Sequence, residues 1–352
     1  MKILIDGRVL KHSRITGVER YTREVIKALK KVAPKNFQID TIVPSSDNKY
    51  VHHIWEHTVL PLIARNYDIL FCPANIAPVW KCPRTKLVVT VHDLSFISFP
   101  YTFSRKFQLY YKALIPYELK TADIVITVSN YIKSEIINKF NIPRNKIFAI
   151  PLGVNIDFLR IPPTSKKENY LLFLGSLNPR KNIKGVIEAF SRLLNRIPHQ
   201  LLIVGGRFDI FKNDKKIYKL IKSIPADRIK LKGHLRDKEI IELYRKAGLF
   251  IFPSLYEGFG LPPLEAMACG CPVVVSNAAS LPEVCGDAAY YVDPYDVDSI
   301  AEGIYKVLTD ENLRQSLIQR GLERAKLFSW GKTAEQTLEV FEKVLNENCI
   351  ST

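Results

Sequence analysis

Short apolar runs rich in β-branched residues alternate along this chain with segments whose apolar residues recur at helical spacing, and the alternation begins twice. In the first half the runs are 2–6, 69–71, 87–91 and 124–128. Val18, Tyr21, Val25, Ile26 and Leu29 mark a helix over 18–32, with further helices over 112–119 and 131–140. The polar stretch Pro162-Pro163-Thr164-Ser165-Lys166-Lys167 then interrupts the rhythm. It resumes with runs at 170–174, 200–204, 229–231, 249–252, 273–275 and 289–292. Between them lie a helix over 183–194 and others beginning near Lys238, Pro263 and Asp298. Runs this short and this continuously apolar suit strands covered on both faces of a parallel sheet. The alternation predicts an α/β fold, and the two starts predict two doubly wound parallel-sheet domains, 1–165 and 166–330, with 161–168 as the linker. The 352 residues fit two domains of ordinary size. Ligands of such sheets bind beyond the carboxyl ends of the strands, so a cleft between two of them is the expected site.

Composition narrows the alternatives. Hydrophobic residues make up 47% and charged residues 24%, the balance of a globular chain and not of a disordered or collagen-like one. The longest uncharged run, 266–282, is broken by Gly270, Pro272, Asn277 and Pro282 and does not suit a membrane span. The opening MKILIDGR lacks the apolar region of a signal peptide, so a cytoplasmic location and six reduced, packed cysteines are expected. Neither Cys72 with Cys82 nor Cys269 with Cys271 has metal or redox spacing. The net charge of +16 is uneven: residues 1–165 hold 24 of the 51 Lys and Arg but 12 of the 35 Asp and Glu. A basic first half points to an anionic partner, whether membrane headgroups, nucleic acid or a phosphorylated acceptor, or else to plain solubility.

The chemistry-bearing residues fall where strands end. Tyr256-Glu257-Gly258-Phe259-Gly260-Leu261-Pro262-Pro263-Leu264-Glu265-Ala266 follows the run 249–252 and enters a helix with prolines at its start, where proline is tolerated. A glycine-containing turn into a helix amino terminus is a ready site for a diphosphate. Glu257 and Glu265 bracket it, and carboxylates accept hydrogen bonds from vicinal hydroxyls, so a sugar on each side of a diphosphate suits them. Read as ordinary structure, Glu265 complements the helix dipole and Glu257 is a solvated loop acid. Arg180 and Lys181 lie in FLGSLNPRKN after the run 170–174. Adjacent cations neutralise a pyrophosphate and stabilise a departing nucleoside diphosphate. Gly17, in ITGVERY, would let the backbone approach a phosphate or a sugar closely. His92, in Val91-His92-Asp93, ends a strand of the first domain, and Asp93 either orients it or caps the next turn.

The Glu-x7-Glu spacing within EGFGLPPLEAMACGCPVV resembles the donor-site signature of the retaining glycosyltransferases of family 4, and the resemblance covers nearly the whole chain. It implies the GT-B fold, two Rossmann-like domains facing a central cleft, with the acceptor on 1–165, the nucleotide sugar on 166–330 and a helix in 331–352 crossing back to the first domain. It further implies that Glu257 binds hydroxyls of the transferred sugar and Glu265 the ribose. The turn Gly258-Phe259-Gly260-Leu261 then presents the Gly260 and Leu261 amides to the distal phosphate. Arg180 and Lys181 bind the diphosphate, and His92 contacts the sugar near the reacting carbon. Other members often carry a second glycine where this chain has Glu19, so only Gly17 is carried over. Recognition of the base falls near Gly233, His234 and Leu235. The implied route is front-face transfer with neither metal nor cofactor.

The segments DGR, GVERY, HDLSF and GSLNPRKN are similar to mannosyltransferases of cell-surface polysaccharide assembly. That similarity favours GDP-mannose over UDP-sugars as donor and a glycan or lipid-linked saccharide as acceptor. A sugar-nucleotide 2-epimerase shares the architecture and needs no acceptor. A protein that binds nucleic acid or an anionic surface is the alternative of another class; it rests on the basic surplus alone, and nucleic acid is not the expected partner. Asp296-Val297-Asp298 has the spacing of a metal-binding pair but precedes a helical pattern, where aspartate is an ordinary N-cap. Val204-Gly205-Gly206 lacks nicotinamide-site spacing and reads as a turn. Over 99–119, Tyr101, Phe103, Phe107, Tyr110, Tyr111 and Tyr117 interleave with Arg105, Lys106 and Lys112. That segment suits either a peripheral contact with the inner face of the cell membrane or a covered helix with solvated charges.

Overall fold

The computed structural model describes residues 1–11, 17–46, 48–160, 162–164, 166–205 and 215–346. The chain forms two compact units, Met1–Gly153 with Phe328–Thr352, and Val154–Leu327.

The first unit is built on β1 (Lys2–Asp6), β2 (Gln38–Ile42), β3 (Ile69–Cys72), β4 (Lys86–Val91), β5 (Ile124–Thr127) and β6 (Ile147–Ala149). They form one parallel sheet in the order β2-β1-β3-β4-β5-β6, with Ile3 between Ile39 and Ile69. Every residue of β3 and β5 is buried, as their unbroken apolar composition requires. The helix Gly17–Val32 buries Tyr21, Val25, Ile26, Ala28 and Leu29 and turns Arg23, Lys27, Lys30 and Lys31 to solvent. It packs against the helix Trp330–Asn346, whose Trp330, Ala334, Thr337, Phe341 and Val344 recur at helical spacing on its buried face. Phe341 is fully buried, its ring 5.2 Å from that of Phe71. The chain leaves this unit at Gly153 and re-enters beside it: a Cβ at Gly153 would lie 2.1 Å from the Trp330 amide nitrogen, so only glycine fits.

The second unit holds β7 (Glu168–Leu174), β8 (Gln200–Val204), β9 (Ile229–Lys232), β10 (Ala247–Phe252), β11 (Val273–Ser276) and β12 (Tyr290–Val292). These are also parallel, in the order β12-β11-β10-β7-β8-β9. Leu171, Phe173, Ile203 and Ile251 from the sheet, with Ile187 and Phe190 from the helix Ile183–Arg192 and Ile300 and Ile304 from the helix Val297–Thr309, make one buried core. Each sheet reverses its strand order once, between β1 and β3 in the first and between β7 and β10 in the second. In open parallel sheets that reversal opens the crevice where ligands bind.

Three features depart from the sequence reading. The break between units falls at Gly153–Val154, whereas the described residues of the polar segment, 162–164 and 166–168, fall within the second unit. Lys167 Nζ donates to the carbonyls of Arg245 and Gly270, each at 2.8 Å, which anchors that segment despite its composition. A helix at Lys49–Ala64, with Pro61 inside it, and the strand β2 escape periodicity: the helix carries apolar residues on both faces and β2 is only partly covered. The helix Arg105–Thr121 starts earlier than expected and continues through Pro116. Among the described residues five cysteines are free, four of them buried; Cys349 lies outside those residues. No described helix is long and apolar enough to cross a membrane, and the run 266–282 ends one helix and supplies the buried β11.

Candidate active site

At the reversal of the second sheet two loops meet, one after β7 and one after β10. In the first, Asn178 Oδ1 accepts from the Arg180 amide at 3.1 Å and sets the turn Pro179–Lys181. Asn182 ends that turn with φ of +56°, a conformation asparagine tolerates, and leads into the helix Ile183–Arg192. In the second, the Leu255 amide donates to the Arg180 carbonyl at 2.8 Å, which ties the two loops together. Arg180 Nη1 donates to the Tyr256 carbonyl at 2.9 Å and to Glu257 Oε2 at 3.3 Å. Lys181 Nζ donates to Glu257 Oε1 at 2.5 Å and lies 4.8 Å from the centre of the Phe252 ring. Both Lys181 and Glu257 are buried. Burial pushes the Glu257 carboxyl up, but the Lys181 and Arg180 charges outweigh it and hold the pKa below the usual carboxylate value. Glu257 is therefore an ionised, buried acceptor with two cations on it.

The loop then turns through Gly260, whose φ of +119° belongs to glycine, into the helix Leu261–Ala268. A Cβ there would stand 2.6 Å from Leu281 Cδ2, so the position is closed to other residues on both counts. No side chain caps this helix, and Pro262 and Pro263 carry no N–H, so its amino-terminal donors are concentrated at Gly260 and Leu261. Glu265 is buried one turn further in. Phe259 and Tyr256 are buried as well. Two serines not singled out in the sequence organise this loop. Ser280 Oγ donates towards the Glu257 and Phe259 carbonyls, at 2.9 and 2.6 Å, and Ser276 Oγ donates to the Ser254 carbonyl at 2.5 Å. Their only sequence signal is position, at and just after the end of β11.

Gly233, His234 and Leu235 follow β9, the edge strand two places from β7; Gly233 and His234 are exposed and Leu235 is half-buried. Asp296 accepts from the Asp298 amide at 2.9 Å and caps the helix Val297–Thr309, and the Asp298 carboxylate pairs with Arg192. Gly205 backs onto the loop after β7, where a Cβ would lie 2.5 Å from the Gly175 carbonyl oxygen, so the glycine serves a close turn.

In the first unit His92 follows β4 and is buried, its ring edge-on to Tyr21 at 4.6 Å. Its Nε2 is 2.8 Å from the Pro73 carbonyl, an acceptor, so Nε2 carries the proton and Nδ1 is left as an acceptor. Burial, the largest influence, lowers the pKa of His92, so the ring is neutral at pH 7. Asp93 Oδ1 accepts from the Ser95 amide at 2.9 Å and from Ser95 Oγ at 2.6 Å, so it holds the following turn. Gly17 starts the helix that carries Tyr21; it is exposed, and a Cβ there would meet nothing within 4 Å. Ile15 and Thr16 lie outside the described residues.

Two Rossmann-like units, one with cations and a carboxylate at its strand reversal beside a helix terminus without a side-chain cap, have the architecture of the GT-B class. The fold is shared with the solved sucrose-phosphate synthase of Thermosynechococcus elongatus, at a TM-score of 0.75 and 19% identity over 98% of this chain and 99% of that one. It is shared equally with Anabaena Alr3699/HepE in complex with UDP and glucose, at a TM-score of 0.74 and 19% identity over 97% of this chain and all of that one. The chain belongs to the group 1 glycosyltransferases: residues 156–324 match the family described as glycosyl transferases group 1, and residues 15–158 match glycosyltransferase family 4. It is 33% identical to the O-antigen chain mannosyltransferase B of Escherichia coli over 97% of this chain and 100% of that protein. It is also 33% identical to the O-antigen chain mannosyltransferase RfbU of Salmonella typhimurium, over 62% of this chain and 60% of that one.

Proposed function

We propose that this glycosyltransferase moves mannose, with retention of configuration, from a nucleotide sugar to a glycan or lipid-linked saccharide in surface polysaccharide assembly, with GDP-mannose preferred over UDP-sugars. The observation that carries the reading is the Lys181–Glu257 contact of 2.5 Å at the strand reversal, beside the helix terminus at Gly260. The names of the E. coli and Salmonella relatives support mannose. In this reading the diphosphate sits against the Gly260 and Leu261 amides with Arg180 and Lys181. Glu257 accepts from hydroxyls of the transferred sugar, and Glu265 from the ribose. Gly17 lies against the donor, and Gly233, His234 and Leu235 line the base. His92 meets the sugar through Nδ1.

The acceptor oxygen forms its bond to the anomeric carbon on the face from which the diphosphate oxygen departs. The acceptor proton passes to that departing oxygen, so a glycoside and a nucleoside diphosphate result. Two cations and a helix terminus supply the charge that leaving demands, so the reading includes neither a metal nor a cofactor. A thermal-shift panel of GDP-mannose, UDP-glucose and UDP-N-acetylglucosamine, followed by transfer assays and NMR of the product linkage, tests it. Saturable stabilisation by GDP-mannose and a product of retained configuration are expected. Conversion of the donor alone into its 2-epimer would replace the reading with that of an epimerase.

A second observation bears on the acceptor side. The helices Lys49–Ala64 and Arg105–Thr121 are joined where Tyr110 Oη meets His57 Nε2 at 3.1 Å and His53 Nδ1 at 3.3 Å. Their only acids, Glu56 and Glu118, are buried. Their outer faces carry exposed Ile54, Leu62, Leu109 and Tyr117 with Arg105, Lys106, Lys112 and Lys120. An apolar face with cations and no acid complements an anionic bilayer, and we propose that it rests on one. Cosedimentation with vesicles containing phosphatidylglycerol, but not with pure phosphatidylcholine, is expected, and Ile54→Asp with Leu109→Asp should abolish it. Equal binding by that variant would remove the membrane from the account.

A further inference from the structure

The segment Asp6-Gly7-Arg8 is left without a role by the donor site, yet it sits at the other strand reversal, beyond β1 and beside β3. Arg8 is buried there. Its Nε lies 3.2 Å from Asp6 Oδ2 and 3.0 Å from Glu56 Oε1, and its Nη2 donates to the Ala74 carbonyl at 2.9 Å. Gly7 leaves no room for a Cβ, which would lie 2.8 Å from Thr41 Cγ2 and 3.0 Å from the Ile42 carbonyl. The cation thus lies against two buried acids and donates through Nη2 to the loop after β3.

That loop is the seat of His92. The Pro73 carbonyl accepts from His92 Nε2 at 2.8 Å, and Asn75 Oδ1 accepts from the His92 amide at 2.6 Å. Asn75 itself stands at φ +66°, and its amide donates to the Thr90 carbonyl at 3.0 Å. One residue in a left-handed conformation therefore grips both the strand that ends before His92 and the His92 main chain. Its neighbour Ala74 is fixed by Arg8.

We infer that Asn75 is a positioning residue for the transfer reaction, holding His92 in place and in its Nε2–H tautomer through the loop that Arg8 anchors at Ala74. The inference rests on the reading that His92 meets the donor sugar. Asn75 touches no reacting atom; it decides where the imidazole stands. Misplacing a contact group by about 1 Å costs on the order of 100-fold in rate.

The test compares Asn75→Gly, which keeps the left-handed conformation but loses the acceptor oxygen, with Asn75→Asp, which keeps both. Asn75→Gly is expected to lower kcat about tenfold to 100-fold, with donor KM nearly unchanged. Nitrogen-15 spectra of the His92 ring should show loss of the single Nε2–H tautomer, while the melting temperature stays close to that of the wild type. Asn75→Asp should restore the rate and the tautomer, and Arg8→Lys, which cannot span both acids and the carbonyl, should resemble Asn75→Gly. His92→Gln separates the two layers. Wild-type transfer by His92→Gln would remove the underlying reading. A dead His92→Gln beside an Asn75→Gly of wild-type rate and unchanged ring spectrum would overturn the positioning role alone.

Discussion

Lys181 Nζ lies 2.5 Å from Glu257 Oε1, although the two residues are 76 positions apart in the chain. The contact closes the gap between the ends of β7 and β10, and Arg180 flanks it. Its consequence for mutagenesis is double, because a buried ion that loses its partner is costly and, in the proposed transfer, a lost cation weakens leaving-group departure.

Lys181→Met and Glu257→Gln should each lower transfer by at least about 100-fold. Each should also cost on the order of 3 kcal/mol of stability, less where Arg180 still faces Glu257. The double variant should be more stable than the sum of the two losses predicts. Initial rates and urea titrations of all three proteins check this, and strict additivity would mean that the pair does not interact in solution.

Gly260→Ala meets two obstacles together, a φ of +119° and the Leu281 side chain 2.6 Å from the new Cβ. Backbone strain alone amounts to about 1–3 kcal/mol. The donor amides at Gly260 and Leu261 must shift to relieve it, so nucleotide-sugar affinity should fall with stability. Calorimetric titration with the donor reads the affinity and thermal melts read the stability, and an Ala variant of unchanged affinity would show that these amides do not face the ligand.

Ser280→Ala removes the hydroxyl shared by the Glu257 and Phe259 carbonyls and leaves buried acceptors short of a donor. About 1–3 kcal/mol is expected. Because the loop carries Glu257, the donor KM should rise as well. Ser280→Thr, which retains the hydroxyl, should recover part of both if the methyl group is accommodated.

Burial, the largest influence, lowers the His53 pKa from 6.5 to about 4. The folded state therefore prefers neutral His53, and its contribution to stability is complete above about pH 6.5 and is lost as pH falls towards 4. Melting temperatures should fall over that window, and His53→Gln, which still offers Tyr110 a partner, should flatten the slope. An identical slope in the variant would assign the acid sensitivity to other groups.

Phe341→Ala should cost about 3–5 kcal/mol, since a fully buried aromatic ring is replaced by a cavity against Phe71. A loss confined to the first unit, followed by hydrogen exchange on β1 and β3, is expected.

The strands were legible because unbroken apolar runs such as those of β3, β5 and β10 have few other uses. The loop after β10 stands out in the sequence because Glu257, Gly260 and Glu265 each answer to a distinct physical demand at fixed spacing. Asp93 illustrates a choice that sequence leaves open: orienting a histidine and capping a turn need the same carboxylate, and only the Ser95 hydrogen bonds decide. Ser276 and Ser280 were invisible for a related reason, since a serine near a strand end is common and its partners are carbonyls brought in by another strand. The boundary at Gly153 is not legible because the prolines and lysines over 162–168 have the composition of a solvated linker, whereas the Lys167 ammonium is drawn to carbonyls remote in the chain. Asp6-Gly7-Arg8 is a recognisable pattern, but its structural place depends on Glu56 and Ala74, which no local spacing relates to it.

The return of the chain at Phe328 beside Gly153 makes synthesis and assembly run in opposite orders. The second unit is one uninterrupted stretch and can finish folding as soon as the ribosome has passed it. The first unit must wait with the apolar face of Gly17–Val32 uncovered until the helix Trp330–Asn346 emerges, so the unit begun first is completed after the second.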